Sequence, residues 1–231
     1  LKPFGKIQKS AGMNGYKAII FDLDGTTLDT EGIHFDSWNF ALAKHGKNLS
    51  EQEYLRYAGR HEQIVASAVI PDLKISDLTV EKLIDCRHEY LDAHMYCDLK
   101  YMPGALQALE KFNEENFTVA AATGGILGET QRKIQSAGLQ KYFRLIVCAD
   151  QVKRGKPFPD IYEYCASQLG VAPKECLVFE DSNPGALAAF QAGCHVVAIP
   201  NRWTKEQDFS MAMARFENFS QAMEYFFPDN V

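Results

Sequence analysis

Five short apolar runs constrain this chain more than anything else in it: residues 18–21, 118–122, 145–148, 176–179 and 195–199. Each has the length and composition of a strand buried on both faces. From Pro103 onward these runs alternate with stretches of helical periodicity. One covers 104–116, with Ala105, Leu109 and Phe112 on one face, and another covers 127–137 and stops at Gly138. A third opens at Pro159 and closes at Gly170, and a fourth runs over 184–192 up to Gly193. Glycine after the last periodic residue and proline in the first turn are ordinary helix stop and start signals. An amphipathic helix from Arg215 onward, carrying Phe219, Met223 and Phe226, ends the pattern. Alternation of this kind predicts an α/β fold: a parallel sheet with helices on both faces.

The first strand is separated from the others by residues 30–101, where strand signals stop. Phe35, Trp38, Ala41 and Leu42 form an apolar stripe at helical spacing, with Asp29 or Thr30 as cap and Gly46 as stop. Further helical patterns cover 51–57, 62–69 and 80–94, and Pro71 breaks the middle of the region. A helical unit over 30–101 is therefore expected, inserted into a core made of 13–29 and 102–231. A chain of 231 residues is long enough for one ample core and a smaller insertion. Residues 1–12 carry Lys2, Lys6 and Lys9 without acids and lack the apolar core of a signal peptide. With Met13 able to serve as initiator, they read as an N-terminal extension or an expression remnant.

Composition narrows the partners. A net charge of −6 argues against nucleic acid, which calls for a basic face. No apolar run reaches the length of a membrane span. The six cysteines form neither a Cys-x-x-Cys pair nor a zinc spacing, which points to a reduced, cytoplasmic protein.

The polar residues that matter stand at strand ends. Asp22 and Asp24 follow the first run two residues apart, so they point to the same side. Two like charges so close need a cation between them or a shared proton. A calcium loop fits poorly, because Gly25 is the fourth residue counted from Asp22 rather than the sixth. Thr123-Gly124-Gly125 ends the second run, Lys156 lies in the loop after the third, and Glu180-Asp181 ends the fourth. Each has a plainer reading: an Asp-Gly turn, a strand-end hydroxyl, a solvated lysine, a helix cap. In a parallel sheet, however, all four sites share one edge, where ligands bind. Two acids, a hydroxyl beside glycines, a lysine and a second acidic pair suit phosphoryl transfer, in which a protein mainly positions phosphate and offsets its charge.

Asp22-x-Asp24-Gly25-Thr26 resembles motif I of the haloacid dehalogenase superfamily. Thr123 matches its motif II, Gly155-Lys156-Pro157-x-Pro159-Asp160 resembles the segment around motif III, and Phe179-Glu180-Asp181-Ser182 resembles motif IV. Thr30-Glu31-x-x-His34 is similar to the linker into the helical cap of β-phosphoglucomutase-like members and sugar-phosphate phosphatases. The resemblance implies a Rossmann-like core with an inserted all-helical cap, monomeric by default. It implies a phosphatase for a small phosphorylated metabolite, a sugar phosphate foremost. Asp22 would be the nucleophile, forming an aspartyl-phosphate, and Asp24 the acid/base. Mg²⁺ would be held by the Asp22 carboxylate, the Asp24 main-chain carbonyl and Asp181, with Glu180 beside them. Thr123, Gly124 and Lys156 would hold the phosphate. Many relatives carry serine, asparagine or lysine after the motif II hydroxyl; Gly124 and Gly125 here leave that contact to backbone N–H groups. His34 and Arg60 are the cap-side candidates for substrate contact or hinge.

The resemblance also admits a phosphomutase, and the residues alone admit a non-catalytic metal- or phosphate-binding protein. A dehalogenase would not need Asp24. Against the mutase, its two cap lysines align with Ala58 and Leu91, although Lys74, Arg87 or Lys100 could be brought in by a short insertion.

Overall fold

The structure, a computed structural model, describes residues 13–228. Residues 1–12, read above as an extension or remnant, lie outside the described residues. Six parallel strands form one sheet in the order β3-β2-β1-β4-β5-β6. They are β1 Ala18–Phe21, β2 Thr118–Thr123, β3 Leu145–Cys148, β4 Cys176–Glu180, β5 His195–Ala198 and β6 Ala214–Arg215. Core helices follow in alternation: α5 Ala105–Glu114, α6 Leu127–Ser136, α7 Asp160–Leu169, α8 Asn183–Gln191 and α9 Phe219–Phe226.

The period of two sorts the strand residues between two cores. Ile19, Phe21, Val119, Ala121, Leu177 and Phe179 face α5, α6 and α9, and Ala18, Ile20, Ala120, Ala122 and Val178 face α7 and α8. The first core is built on phenylalanine. Phe21 stacks on Phe179 at 5.1 Å and on Phe219 at 5.6 Å, and meets Phe112 edge-on at 6.0 Å.

Four helices separate β1 from α5: α1 Glu31–Ala43, α2 Glu51–Tyr54, α3 Glu62–Asp72 and α4 Val80–His94. Trp38, Leu42, Tyr54, Val69 and Leu83 bury themselves between them. This is a Rossmann-like core carrying an all-helical cap. Trp203, from the segment after β5, joins the cap cluster and lies 5.1 Å from Phe35 and 5.3 Å from Tyr54.

Several sequence expectations need correcting. The helix α3 includes Pro71 and ends one residue later at Asp72, so the proline stops the helix in its last turn rather than before it. The final helix starts at Phe219, capped by Asn218, whose side chain accepts from the Gln221 N–H. Ala214–Arg215 is instead the sixth strand, too short to leave a periodic signal. Both β2 and β4 extend one residue further than the apolar runs and take in Thr123 and Glu180. No helix among the described residues is long and apolar enough to cross a membrane.

The connections decide where a ligand goes. The chain leaves β1 toward β2 and β3, then returns to β4 on the other side and continues to β5 and β6. The crevice beyond the carboxyl ends of β1 and β4 is thus the topological switch point. Phe21 anchors that junction, so Phe21→Ala should destabilise the protein by about 3–5 kcal/mol, read as a lower urea midpoint at unchanged m value.

Candidate active site

The turn after β1 is closed by bonds from the Thr27 and Leu28 N–H groups to the Leu23 carbonyl, at 2.9 Å each. Gly25 takes φ +79° within it, and a Cβ there would stand 2.6 Å from Asp181 Oδ2. Only glycine lets the turn approach that carboxylate. Asp22 and Asp181 are held by their neighbours: Thr27 Oγ1 donates to the Asp22 carbonyl at 2.6 Å, and Thr26 Oγ1 and Asn201 Nδ2 donate to the two Asp181 oxygens at 2.9 and 2.8 Å.

Lys156 reaches in from the loop after β3. Its Nζ donates to Asp22 Oδ1 and Glu180 Oε1, both at 2.6 Å, and to the Ala122 carbonyl at 3.1 Å. Glu180 also accepts from Tyr162 Oη at 2.6 Å and Ser182 Oγ at 3.1 Å. Its carboxylate is therefore saturated by protein donors and fixes the lysine. It packs over Gly185 in the first turn of α8, where a Cβ would lie 1.9 Å from Oε1.

Asp22, Glu180 and Asp181 bring carboxylate oxygens within 4.8 Å of one another, all buried. Hard oxygen donors in that number suit a divalent cation. Burial raises the Asp22 carboxyl to about 7, although the Lys156 ammonium works against it. Burial, and then the charges of Asp22 and Glu180, raise Asp181 well above the usual carboxylate range. Carboxylates buried this close favour protonation of one another unless a cation compensates them.

The Asp24 side chain does not join the cluster. Lys133 Nζ donates to its Oδ1 at 2.7 Å and Oδ2 at 2.6 Å, and Thr30 Oγ1 donates to Oδ1 at 2.8 Å. His34 Nε2 lies 3.7 Å from the same oxygen. Burial pushes the Asp24 carboxyl up, but Lys133 and His34 outweigh it and hold it well below its ordinary value. Arg87 Nη2 stands 2.7 Å from His34 Nδ1; a guanidinium cannot accept, so the ring proton belongs on Nε2, facing Asp24. Lys133 is the site residue that the sequence reading missed. The available signal was a lysine on the buried stripe of α6, between Thr130 and Ile134.

A cavity of about 180 Å³ opens between this edge and the cap. Thr123 and Gly124 line it, with Thr123 Oγ1 accepting from the Gly125 N–H at 3.2 Å. Arg60 lies at its exposed margin. Of the cap cations considered, Arg87 lines the cavity, whereas Lys74 and Lys100 are exposed and do not. Arg87 is paired with Glu62 and lies over the Trp38 ring at 4.6 Å. Ala58 is fully buried, and Leu91 presents an apolar wall to the cavity.

A buried carboxylate paired with a lysine, beside two further buried acids at the switch point and under a helical cap, is the arrangement of one class of hydrolase. The sequence model of the haloacid dehalogenase-like hydrolases matches residues 19–199, and the chain belongs to that family. It is 34% identical over 177 residues to a phosphorylated carbohydrates phosphatase of Thermotoga maritima, covering 77% of this chain and 82% of that one. It is 33% identical to the fructose-1-phosphate phosphatase YqaB of Escherichia coli, covering 80% and 96%. Among solved structures, a family hydrolase from Deinococcus radiodurans with bound phosphate and sodium superposes with a TM-score of 0.74. That pair shares 25% identity and covers 91% of this chain and 94% of the other.

Two outcomes follow from the geometry. Gly185→Ala should displace Glu180 and with it Lys156, lowering turnover by roughly tenfold or more in a steady-state assay. A divalent cation should raise the melting temperature more at pH 8 than at pH 6. Folded Asp22 titrates at about 7, against the ordinary 3.8, so without metal its contribution to stability falls as pH rises between those values. The cation needs the ionised form, so its stabilisation grows over the same rise. Thermal melts with and without Mg²⁺ or Mn²⁺ read the difference.

Proposed function

We propose that this protein is a Mg²⁺-dependent phosphatase that hydrolyses small phosphate monoesters, sugar phosphates foremost, through an aspartyl-phosphate on Asp22. The carrying observation is Asp22 itself: a buried carboxylate held by Lys156 beside Glu180 and Asp181, with a second, separately held aspartate two residues on. The sugar-phosphate reading is supported by the names of the two phosphatases described above.

In the first half-reaction an Asp22 oxygen bonds to phosphorus as the bond to the leaving oxygen breaks. The electron pair stays on that oxygen, which takes a proton from Asp24; a bound anionic phosphate would raise that carboxyl from its depressed value in the free protein, so that it carries the proton for this step. In the second, Asp24 accepts a proton from water, the water oxygen bonds to phosphorus, and the Asp22–phosphorus bond breaks. Asp22, the Asp24 carbonyl and Asp181 would hold Mg²⁺, which supplies the positive charge that lets a carboxylate approach an anionic phosphate. Thr123 and the N–H group of Gly124 orient the transferring oxygens, and Lys156 offsets their charge as it builds. The cap excludes bulk water over the cavity.

Hydrolysis is favoured over mutase chemistry by the state of Arg87. A bisphosphate intermediate needs cap cations for its second phosphate; of the two guanidiniums that line the cavity, Arg87 is already committed to Glu62 and His34, which leaves Arg60 at the exposed margin. Sugar monophosphates should therefore release phosphate whether or not a catalytic amount of bisphosphate is added. Interconversion of monophosphate isomers without net phosphate release would replace the hydrolase reading with the mutase one. Asp22→Asn should lower turnover by roughly a thousandfold or more, and chelation of the metal should abolish it.

A further inference from the structure

We propose that Lys133 is the positioning residue of Asp24, an inference that rests on the acid/base reading of Asp24 given above. Its side chain is 4% exposed and reaches from α6 to both oxygens of one carboxylate. Burying an ammonium is costly unless it is paired, and an apolar residue would complete the α6 stripe between Thr130 and Ile134 at lower cost. Both hydrogen bonds that Lys133 makes among the described residues go to Asp24.

A cation that bonds both oxygens sits on the axis of the carboxylate, so it fixes the direction in which the group points, while the contacts to Oδ1 set the rotation of its plane. The other partners cannot fix that direction. Thr30 donates to Oδ1 alone, and His34 faces the same oxygen from farther away. With Lys133 removed, Asp24 keeps contacts on one oxygen and is free to turn about it. The ammonium also stands near the phosphate loop, 4.0 Å from where a Cβ on Gly125 would lie. Direct phosphate binding is thus the rival role.

The arrangement divides the labour between two lysines. Lys156 serves the nucleophile through Asp22 and Glu180, and Lys133 serves the acid/base through Asp24. They enter from different elements, α6 and the loop after β3, and share no partner, so each can be removed separately.

A double-mutant cycle tests the assignment. Lys133→Met should slow intermediate formation on an alkyl phosphate by roughly ten- to a hundredfold. On an aryl phosphate, whose leaving group needs little protonation, the loss should be roughly a few-fold. In an Asp24→Asn background, Lys133→Met should change the alkyl rate by less than roughly twofold, because its effect runs through the missing acid. Lys133→Arg, which keeps a cation at the position, should recover part of the alkyl rate. The same loss factor in both backgrounds would overturn the proposal, as would equal losses on the two substrates. A raised KM with unchanged kcat would assign Lys133 to phosphate binding instead. Thermal melts confirm that each variant is folded; should the methionine variant not fold, Lys133→Gln and Lys133→Arg complete the same cycle. A wild-type protein inactive on both esters would instead overturn the phosphatase reading.

Discussion

Mutual repulsion among carboxylates at the switch point is the constraint on which the rest of this site depends. Asp22, Asp24, Glu180 and Asp181 gather at the ends of two adjacent strands, three of them with buried carboxylate oxygens. Such a group is stable only if cations or protons compensate it. Lys156 and Lys133 each serve their own carboxylates, Thr26 and Asn201 satisfy Asp181, and Tyr162 and Ser182 satisfy Glu180. Burial and mutual repulsion still outweigh these partners at Asp22 and Asp181, whose carboxyls are displaced upward. That residual imbalance is what a divalent cation would remove.

The cap is tied to the core at the same place. Thr30 and His34, at the entry to the cap, both address Asp24. Gly59 lies so close to Ser182 that a Cβ would stand 2.6 Å from the serine Cβ. Gln207 Nε2 donates to the Ala58 carbonyl at 3.1 Å, and Trp203 is buried in the cap's own cluster. Of the two cap guanidiniums that line the cavity, Arg87 is paired with Glu62 and Arg60 lies at the exposed margin. The cap wall of the cavity also presents the carboxylates of Glu31 and Glu62.

The sequence determined the architecture, because its signals are local. Apolar runs of strand length, glycine stops and a strand-free interval over 30–101 require only neighbouring residues to be read, and they yield the parallel sheet and the helical cap. Asp22, Thr123, Lys156, Glu180 and Asp181 were legible for the same reason, since each sits where an apolar run ends or in the loop after one. Tertiary structure decided the rest. Whether Glu180 holds a lysine or faces a cation depends on Tyr162, 18 positions away. Whether Arg87 is free depends on Glu62, 25 positions away. The Lys133–Asp24 contact spans 109 positions. One sequence carries no record of such a pairing, because a lysine on a helix looks like a solvated surface group until packing turns its side of the helix inward. Periodicity specifies which way a residue points; only the packed fold specifies what it meets there.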